Sequence, residues 1–274
     1  GIDPDGSYYK AVGDRGACNF TSAAAFEKKT RLAEGYGDLE ALVTAIGLTG
    51  TALETWLFDN LDVPQVVNFM AGVAITQNID ASDKNFFIHR DTNGSREWMF
   101  IPWDLDLSFG PDALNTDTIV YSRNVPSTPA CASHPFIGAR PWLLAGGKFD
   151  RLQEAVVANP RTRAMLVRRI RAMNDQFLAT NWFQNRMDVL KPLLQTDVDA
   201  DHAKWGTSSH FNWSGAGIYT LTAAMNRIKN EYLTPRTGYL MTTHAAPATL
   251  NFTTGVGSAG IPPSQPAAPA IDFG

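Results

Sequence analysis

One stretch, residues 78–110, constrains the fold of this 274-residue chain more than any other. It holds two apolar runs, Phe86 to His89 and Trp98 to Trp103, on either side of a polar segment that contains Asn93-Gly94. An Asn-Gly pair favours a tight hairpin turn because both residues tolerate positive φ angles. The sequence therefore predicts two antiparallel strands joined near Asn93 and Gly94.

Four oxygen-bearing side chains gather at the open end of this predicted hairpin. Folding the stretch about the turn places Asn85 opposite Asp104, and directly opposed residues lie about 4.5–5.5 Å apart between Cα atoms. Asp80 lies in the loop that enters this end, and Asp106 follows Asp104 closely. Carboxylate and amide oxygens suit a hard divalent cation. We therefore expect a metal site here; the alternative is a hairpin whose ends carry ordinary solvated Asp and Asn residues.

The order of these residues is similar to that in protein kinases, where an Asp, an Asn five residues later and an Asp after a hairpin act together. A more specific resemblance, to the CotH kinase family of atypical protein kinases first known from spore coats, spans roughly residues 6–240. It is carried by these segments: Phe26-Glu27-Lys28-Lys29-Thr30, Asn78-Ile79-Asp80, Asn85-Phe86-Phe87, Phe100-Ile101-Pro102-Trp103-Asp104-Leu105-Asp106, Phe109-Gly110 and Lys204-Trp205-Gly206.

This resemblance implies an α+β fold, a helix-dominated domain like the C-lobe of a protein kinase, with a catalytic β-hairpin and a Pro/Ala-rich linker after it. It implies that Asp80 is the catalytic residue and that Asn85 and Asp104 bind Mg²⁺ or Mn²⁺ on the phosphates of ATP. Asp106 is expected beside them, as a further ligand or a support. The expected reaction is transfer of the γ-phosphoryl group of ATP to a Ser or Thr of a protein substrate.

Two more residues are candidates for contacting the nucleotide. Strand alternation puts Trp98 on the same face as Asp104, where its indole could stack on adenine; the alternative is an ordinary core tryptophan. Lys28 could reach a phosphate group. Pro102 is expected to lack a backbone bond to its neighbouring strand, because proline has no N–H.

Other functions fit parts of the same stretch. Asp104-Leu105-Asp106 also fits the Asp-x-Asp of a phosphohydrolase, but the helical downstream half lacks the strand ends that such an enzyme needs. A non-catalytic CotH-like coat or adhesin scaffold is a second alternative. Two literal kinase triplets are interpreted as coincidences: His89-Arg90-Asp91 runs into the turn, and Asp272-Phe273-Gly274 follows a Pro/Ala-rich stretch.

Hydrophobic periodicity predicts the remaining elements. Ser7 to Val12 is a strand candidate, and a helix that starts at Asp62-Val63-Pro64 is apolar nearly all round and should be buried. Further helices are expected from the following signals: Asp38 to Ile46; Thr51 to Asn60; Pro160 with Leu166, Ile170, Met173 and Phe177; Met187 with Leu190 and Leu194; Ile218 with Leu221, Met225, Ile228 and Tyr232.

Composition limits the possible partners. The net charge is −4 with 44% hydrophobic residues, which favours neither nucleic acid nor an anionic membrane as a partner, and no apolar run is long enough to span a bilayer. Cys18 and Cys131 are either buried thiols or one disulfide.

We expect two units, 1–244 as a CotH kinase-like domain and 245–274 as a linker that begins a further domain of a longer protein. The family's N-terminal lobe, with its phosphate-contacting lysine, is expected upstream of residue 1. The 274-residue chain alone should therefore be inactive. Such a modular arrangement suggests an extracellular, cell-surface or spore-surface protein.

Overall fold

The computed structural model describes the side chains and backbone of residues 2–12, 20, 22–78, 81, 84–111, 117–121, 150–206 and 219–241, and the backbone of 132–134 and 138–140. Four features of the sequence analysis lie outside these residues: the predicted catalytic Asp80, the two cysteines, the 245–274 linker and the Asp272-Phe273-Gly274 triplet.

A four-stranded antiparallel sheet occupies the N-terminal half, with the strand order β2-β1-β3-β4. Its strands are β1 (Ser7–Val12), β2 (Phe26–Lys28), β3 (Lys84–Arg90) and β4 (Trp98–Pro102). Two short strands, β5 (Ala132–His134) and β6 (Gly138–Arg140), form a separate antiparallel pair. The strand predicted at Ser7 to Val12 and the strands of the predicted hairpin are confirmed, whereas β2 was not predicted.

Helices make up most of the rest: α1 (Gly37–Ala45), α2 (Gly50–Asn60), α3 (Val63–Thr76), α4 (Arg151–Ala158), α5 (Pro160–Met173), α6 (Trp182–Trp205), α7 (Leu221–Arg227) and α8 (Thr234–Tyr239). Two π-helical turns, Asn174–Leu178 and Ile228–Leu233, adjoin α5 and α7. The domain is therefore α+β with a small antiparallel sheet, which is compatible with a kinase-like fold. No helix in the described part of the chain could cross a lipid bilayer.

The helix predicted from Met187, Leu190 and Leu194 is confirmed as part of α6. Its 24 residues include none that is buried. Met187 packs against the core, whereas Leu194 is 41% exposed. Leu166 and Ile170 of α5 are fully buried, as their spacing predicts.

The helix α3 is the central element of the domain. Asp62 caps its first turn by accepting a hydrogen bond from the backbone N–H of Gln65 (3.1 Å), and Pro64 stands in that turn. Nine of its 14 residues are buried, which confirms the predicted buried helix. Phe69 stacks on Phe100 of β4 with ring centroids 4.6 Å apart, so α3 packs directly on the hairpin.

The first turn of α3 also closes the free edge of β4. Asp62 donates its backbone N–H to the carbonyl of Trp98 (3.0 Å). The side-chain amide of Gln65 both accepts from the Phe100 N–H (2.9 Å) and donates to the Phe100 carbonyl. An edge strand leaves backbone groups unpaired, and here a helix supplies their partners. Pro102 lies at the end of this edge strand, a position that tolerates its missing N–H.

The last four carbonyl groups of α3 each have a partner. A helix leaves these groups without intrahelical bonds, and burial makes an unpaired carbonyl costly. Val73 and Thr76 accept from the backbone N–H groups of Gln77 and Phe109, both at 2.6 Å. Ala74 accepts from the guanidinium of Arg236, and Ile75 accepts from the hydroxyl of Tyr232 (2.7 Å).

These bonds join three distant parts of the chain at one point. Phe109 follows the hairpin, and Tyr232 and Arg236 belong to the last helical segment. Arg236 is 2% exposed and also donates to the Tyr121 carbonyl (2.7 Å). A buried cation beside helical carbonyls is favourable because the C-terminal end of a helix carries partial negative charge. At Gly110, where φ is 80°, a Cβ atom would collide with the Tyr232 ring.

We predict that Tyr232→Phe lowers the free energy of unfolding by about 1–3 kcal/mol, because it leaves the buried Ile75 carbonyl without its donor. Urea unfolding followed by circular dichroism measures this. The matched control is Tyr121→Phe, whose side chain is 37% exposed and which should change stability by less than about 0.5 kcal/mol. Equal effects of the two substitutions would contradict the role assigned to Tyr232.

Candidate functional site

The hairpin β3–β4 has a register one residue away from the predicted one. Phe86 pairs with Pro102 and Phe87 with Ile101, so Asn85 lies opposite Trp103 rather than Asp104. The Trp103 N–H donates to the Asn85 carbonyl (3.1 Å), which continues this register. The prediction of direct opposition between Asn85 and Asp104 was therefore wrong by one position.

The hairpin loop explains the shift. It is longer than an Asn-Gly turn: the Asp91 N–H donates to the Glu97 carbonyl (3.1 Å) and the Arg96 N–H to the Asp91 carbonyl (2.8 Å). The positive φ in this loop belongs to Arg96 (65°), not to Asn93 or Gly94. Asp91 organises the loop, since its carboxylate accepts from the N–H groups of Gly94 and Ser95 at 3.0 and 2.8 Å. This turn role of Asp91 agrees with the interpretation of His89-Arg90-Asp91 as a coincidence.

Asn85 and Asp104 nevertheless meet at the open end of the hairpin. The Asn85 side-chain nitrogen donates to the backbone carbonyl of Asp104 at 3.2 Å. Both residues have left-handed backbone conformations, with φ of 59° and 56°. Asn and Asp adopt this region more readily than most residues, and such conformations are frequent at functional sites. Asn85 is 8% exposed, whereas Asp104 and Asp106 are exposed to solvent.

The left-handed backbone of Asp104 also ends the strand alternation. Trp98 and Phe100 point into the core, and Met99 and Ile101 point outward, as predicted. Pro102 is already exposed, and the φ of 56° turns the chain at Asp104. The face of Asp104 therefore cannot be derived from that of Trp98 by counting residues.

Trp98 and Lys28 both occupy structural positions. Trp98 is 3% exposed and packs beside Tyr9, with ring centroids 6.0 Å apart, which favours the alternative of a core tryptophan. Lys28 is 7% exposed, and its ammonium group donates to the carbonyl of Gly35 and lies 5.2 Å from the ring of Tyr9. Neither side chain presents an accessible surface to a nucleotide.

The exposed aromatic residue of the hairpin is Trp103, immediately before Asp104. Its side chain is 52% exposed, and it meets Phe87 edge to face with ring centroids 5.6 Å apart. Phe87 in turn stacks on Tyr8 at 4.8 Å, and the ammonium group of Lys10 lies 5.9 Å from the Trp103 ring. A partly exposed aromatic surface with one cation therefore adjoins the open end of the hairpin.

Asn78 and Ala81, the described residues on either side of Asp80, are both held by hydrogen bonds. Asn78, fully buried, accepts from the Ala81 N–H (2.9 Å) through its side-chain oxygen and donates to the Ser108 hydroxyl (3.1 Å). Ser108 donates to the carbonyl of Leu105 (2.8 Å). The side-chain nitrogen of Gln153 donates to the Ala81 carbonyl at 2.9 Å. The loop is thus tied to the segment after Asp104 and to α4.

Gln153 was not predicted as part of the site, because no local signal links a helical glutamine to a loop 72 residues away. Asn78 belongs to the segment Asn78-Ile79-Asp80, which carries part of the family resemblance. Its bonds to both neighbouring segments give it a physical role: one side chain joins the Asp80 loop to the residues that follow Asp104.

Asp150 supports this arrangement from the start of α4. Its carboxyl group accepts from the backbone N–H groups of Leu152 and Gln153, both at 2.9 Å, and from the Gln153 side chain at 3.3 Å. Complete burial raises the pKa of Asp150 to about 8, although these hydrogen bonds act in the opposite direction.

The donor set at the hairpin fits a hard divalent cation in its chemistry. Asp104 and Asp106 offer exposed carboxylates, and Asn85 adds an amide within reach of Asp104. Among the described residues no group of three or more His, Cys, Asp and Glu side chains is placed to hold a metal. Asp80, the third acidic residue of the predicted cluster, lies outside them.

The hairpin, the buried helix before it and the helical second half together form an α+β domain that is compatible with a kinase-like fold. A family model described as CotH kinase protein matches residues 2–240. The chain therefore belongs to the CotH kinase family, as the sequence resemblance indicated. No curated protein matches the chain.

We predict that the free energy of unfolding falls as the pH rises from about 5 to about 8, because Asp150 is buried. The Asp150 carboxyl group should contribute up to about 1.4 kcal/mol per pH unit to this loss. The pKa of Asp150 is higher in the folded protein than in the unfolded chain, so the folded state binds the extra proton. Its stabilising effect is complete at low pH and is lost as the pH rises through about 8. Urea unfolding across this range, compared with Asp150→Asn, measures the effect.

The Asp150→Asn variant carries no titratable group at this position and should show a flatter pH dependence than the native chain. Identical slopes for the two proteins would mean that Asp150 titrates at its ordinary pKa in the folded state.

Proposed function

We propose that the full-length protein transfers the γ-phosphoryl group of ATP to a Ser or Thr hydroxyl of a protein substrate. Membership of the CotH kinase family supports kinase activity in general. The observation that carries the specific proposal is the contact between Asn85 and Asp104, at 3.2 Å, on the hairpin that follows the Asp80 loop. These are the three positions at which the family resemblance implies catalytic and metal-binding residues.

Asn85 and Asp104 would hold Mg²⁺ or Mn²⁺, with Asp106 beside them. When bound with ATP, such a cation offsets the negative charge that develops on the phosphate oxygens. The strained left-handed backbone at both ligands supports this assignment, since it fixes the two side chains at the end of the hairpin independently of the pleat. Asp106, two residues further on, is exposed and close in sequence to the same end.

Asp80 would orient the attacking hydroxyl and accept its proton. A carboxylate that performs this task must be held in place, because phosphoryl transfer depends mostly on positioning and electrostatics. The bonds of Asn78 and Gln153 to both backbone groups of Ala81 fix the residue next to Asp80. These two bonds would help to hold the loop in which the catalytic Asp80 is expected.

The adenine ring would bind to the surface formed by Phe87 and Trp103. Both residues lie on the outward face of the hairpin, and Trp103 adjoins Asp104 directly. This assigns to Trp103 the stacking role that the sequence analysis gave to Trp98. Lys10, whose ammonium group lies 5.9 Å from the Trp103 ring, would contact a nucleotide phosphate in place of the buried Lys28.

Two further parts of the protein, an N-terminal lobe and a domain after the linker, belong to the proposed function. An N-terminal lobe of the full-length protein would cover the nucleotide, and a region beyond the 245–274 linker would form a further domain. A surface or secreted location fits this modular arrangement. All activity experiments below therefore use the full-length protein.

We predict that Asp80→Asn lowers kcat at least about 100-fold and leaves the affinity for ATP nearly unchanged, because the group acts on the acceptor hydroxyl. Radiolabelled phosphate transfer measures kcat, and titration with ATP and Mn²⁺ measures binding. A parallel loss of nucleotide affinity would place Asp80 among the metal ligands. A native protein with no transferase activity under any metal would instead support the coat or adhesin scaffold.

We predict that Trp103→Ala raises the KM for ATP about tenfold, because base stacking on an aromatic side chain contributes about 1–3 kcal/mol. Trp103→Phe should retain much of the affinity. The control is Trp182→Ala on α6, another exposed tryptophan (46%) on the far helical half of the chain, which should leave KM unchanged. An unchanged KM in Trp103→Ala would refute the assignment of the adenine surface.

A further inference from the structure

The backbone of Ala81, the residue after Asp80, is held by two side chains. Asn78 accepts its N–H at 2.9 Å from within the same loop. Gln153 donates to its carbonyl at 2.9 Å from α4, 72 residues further along the chain. Ala81 is fully buried, so its backbone groups depend on these partners. The bond from Gln153 is the one that ties the loop to the helical half of the domain.

The side chain of Gln153 is itself held firmly. It has no exposed surface, and its nitrogen lies 3.3 Å from the carboxyl group of Asp150 as well as 2.9 Å from the Ala81 carbonyl. Asp150 in turn accepts the backbone N–H of Gln153 and begins α4. Leu152 and Val156 on the same helix are both 1% exposed in the core. A displacement of the donor would therefore require movement of a packed helix.

The chemistry of the position requires a neutral donor of this length. A hydrocarbon side chain would leave the Ala81 carbonyl unpaired, and a carboxylate would place two acceptors against each other beside Asp150. Glutamine supplies an N–H to the carbonyl and a second N–H toward Asp150 without adding charge. The side-chain oxygen of Gln153 is buried without a hydrogen-bond donor, so the bonds that its side chain makes come from the nitrogen.

We propose that Gln153 is a positioning residue for catalysis: it holds the backbone of Ala81, the residue that follows the expected catalytic Asp80, and so couples α4 to the reacting hydroxyl. This inference rests on the proposed function, because it assumes that Asp80 orients the acceptor. It adds a residue outside the catalytic hairpin and outside the family signature. Loss of the bond should lower kcat and leave nucleotide affinity intact, since Asn85 and Asp104 belong to a different segment.

The sharpest test uses Gln153→Glu in the full-length protein. An ionised carboxyl group at this position has no proton to donate to Ala81, whereas a protonated one does. Burial and the neighbouring acids Asp150 and Glu154 on the same helix should raise the pKa of the introduced group into the assay range. Arg151 is the neighbouring cation on the same helix, and its guanidinium group already donates to the carbonyl of Phe20 (2.8 Å).

We expect the kcat of Gln153→Glu, relative to the native protein at the same pH, to be reduced at least about tenfold near pH 8.5 and to recover several-fold near pH 6. The KM for ATP should stay within about twofold at both pH values. The matched control, Gln195→Glu on α6, should have native kcat at both. A constant kcat ratio across this pH range would overturn the proposal.

Two further measurements separate this inference from its premises. Gln153→Met removes the donor at every pH and should show the kcat loss without recovery; an undiminished kcat in this variant also overturns the proposal. Hydrogen exchange of the peptide around Ala81 should be faster in Gln153→Met than in Gln195→Met. A native protein without transferase activity would reject the proposed function. Equal hydrogen exchange around Ala81 in Gln153→Met and Gln195→Met would reject the positioning role of Gln153.

Discussion

The hydrogen bonds at the C-terminal end of α3 hold the rest of the structure in register. A buried helix must find partners for its last carbonyl groups. Here those partners are a backbone N–H from the segment after the hairpin, the hydroxyl of Tyr232 and the guanidinium of Arg236. The N-terminal sheet and the C-terminal helices thus meet at the point where the chain enters the Asp80 loop. The first turn of α3, about 20 Å away along the helix, closes the edge of β4.

This arrangement explains how the segments that form the candidate site are brought together. Two segments of the site meet at the C-terminal end of α3. Asn78 follows this helix closely in the chain, and the segment after Asp104 is bound to it by the hydrogen bond from the Phe109 N–H to the Thr76 carbonyl. Asn78 then joins the two segments. The acidic end of the hairpin is therefore positioned by backbone and amide bonds, and Asp104 and Asp106 stay exposed. Carboxylates kept accessible in this way suit the binding of a divalent cation.

Much of the fold could be predicted from local signals. Asp62 before Pro64 marked the start of α3, and the apolar surface of that helix predicted its burial. The two apolar runs predicted the hairpin strands. The register could not be derived, because it depends on the longer loop that Asp91 organises, and that loop places its positive φ at Arg96. The burial of Trp98 could not be derived either, because alternation shows which residues share a face and not which face is covered. The bond between Gln153 and Ala81 joins residues 72 positions apart, which no local pattern reveals.

The central claim is that the open end of the hairpin binds the metal and that its outward aromatic face binds the base. A crystal structure of the full-length protein with Mn²⁺ and a non-hydrolysable ATP analogue tests both parts at once, because Mn²⁺ gives an anomalous signal. The account predicts an Mn²⁺ peak at about 2.0–2.6 Å from oxygens of Asp104 and Asn85, with the adenine ring against Trp103. A peak elsewhere, or an adenine ring placed away from Phe87 and Trp103, would contradict it.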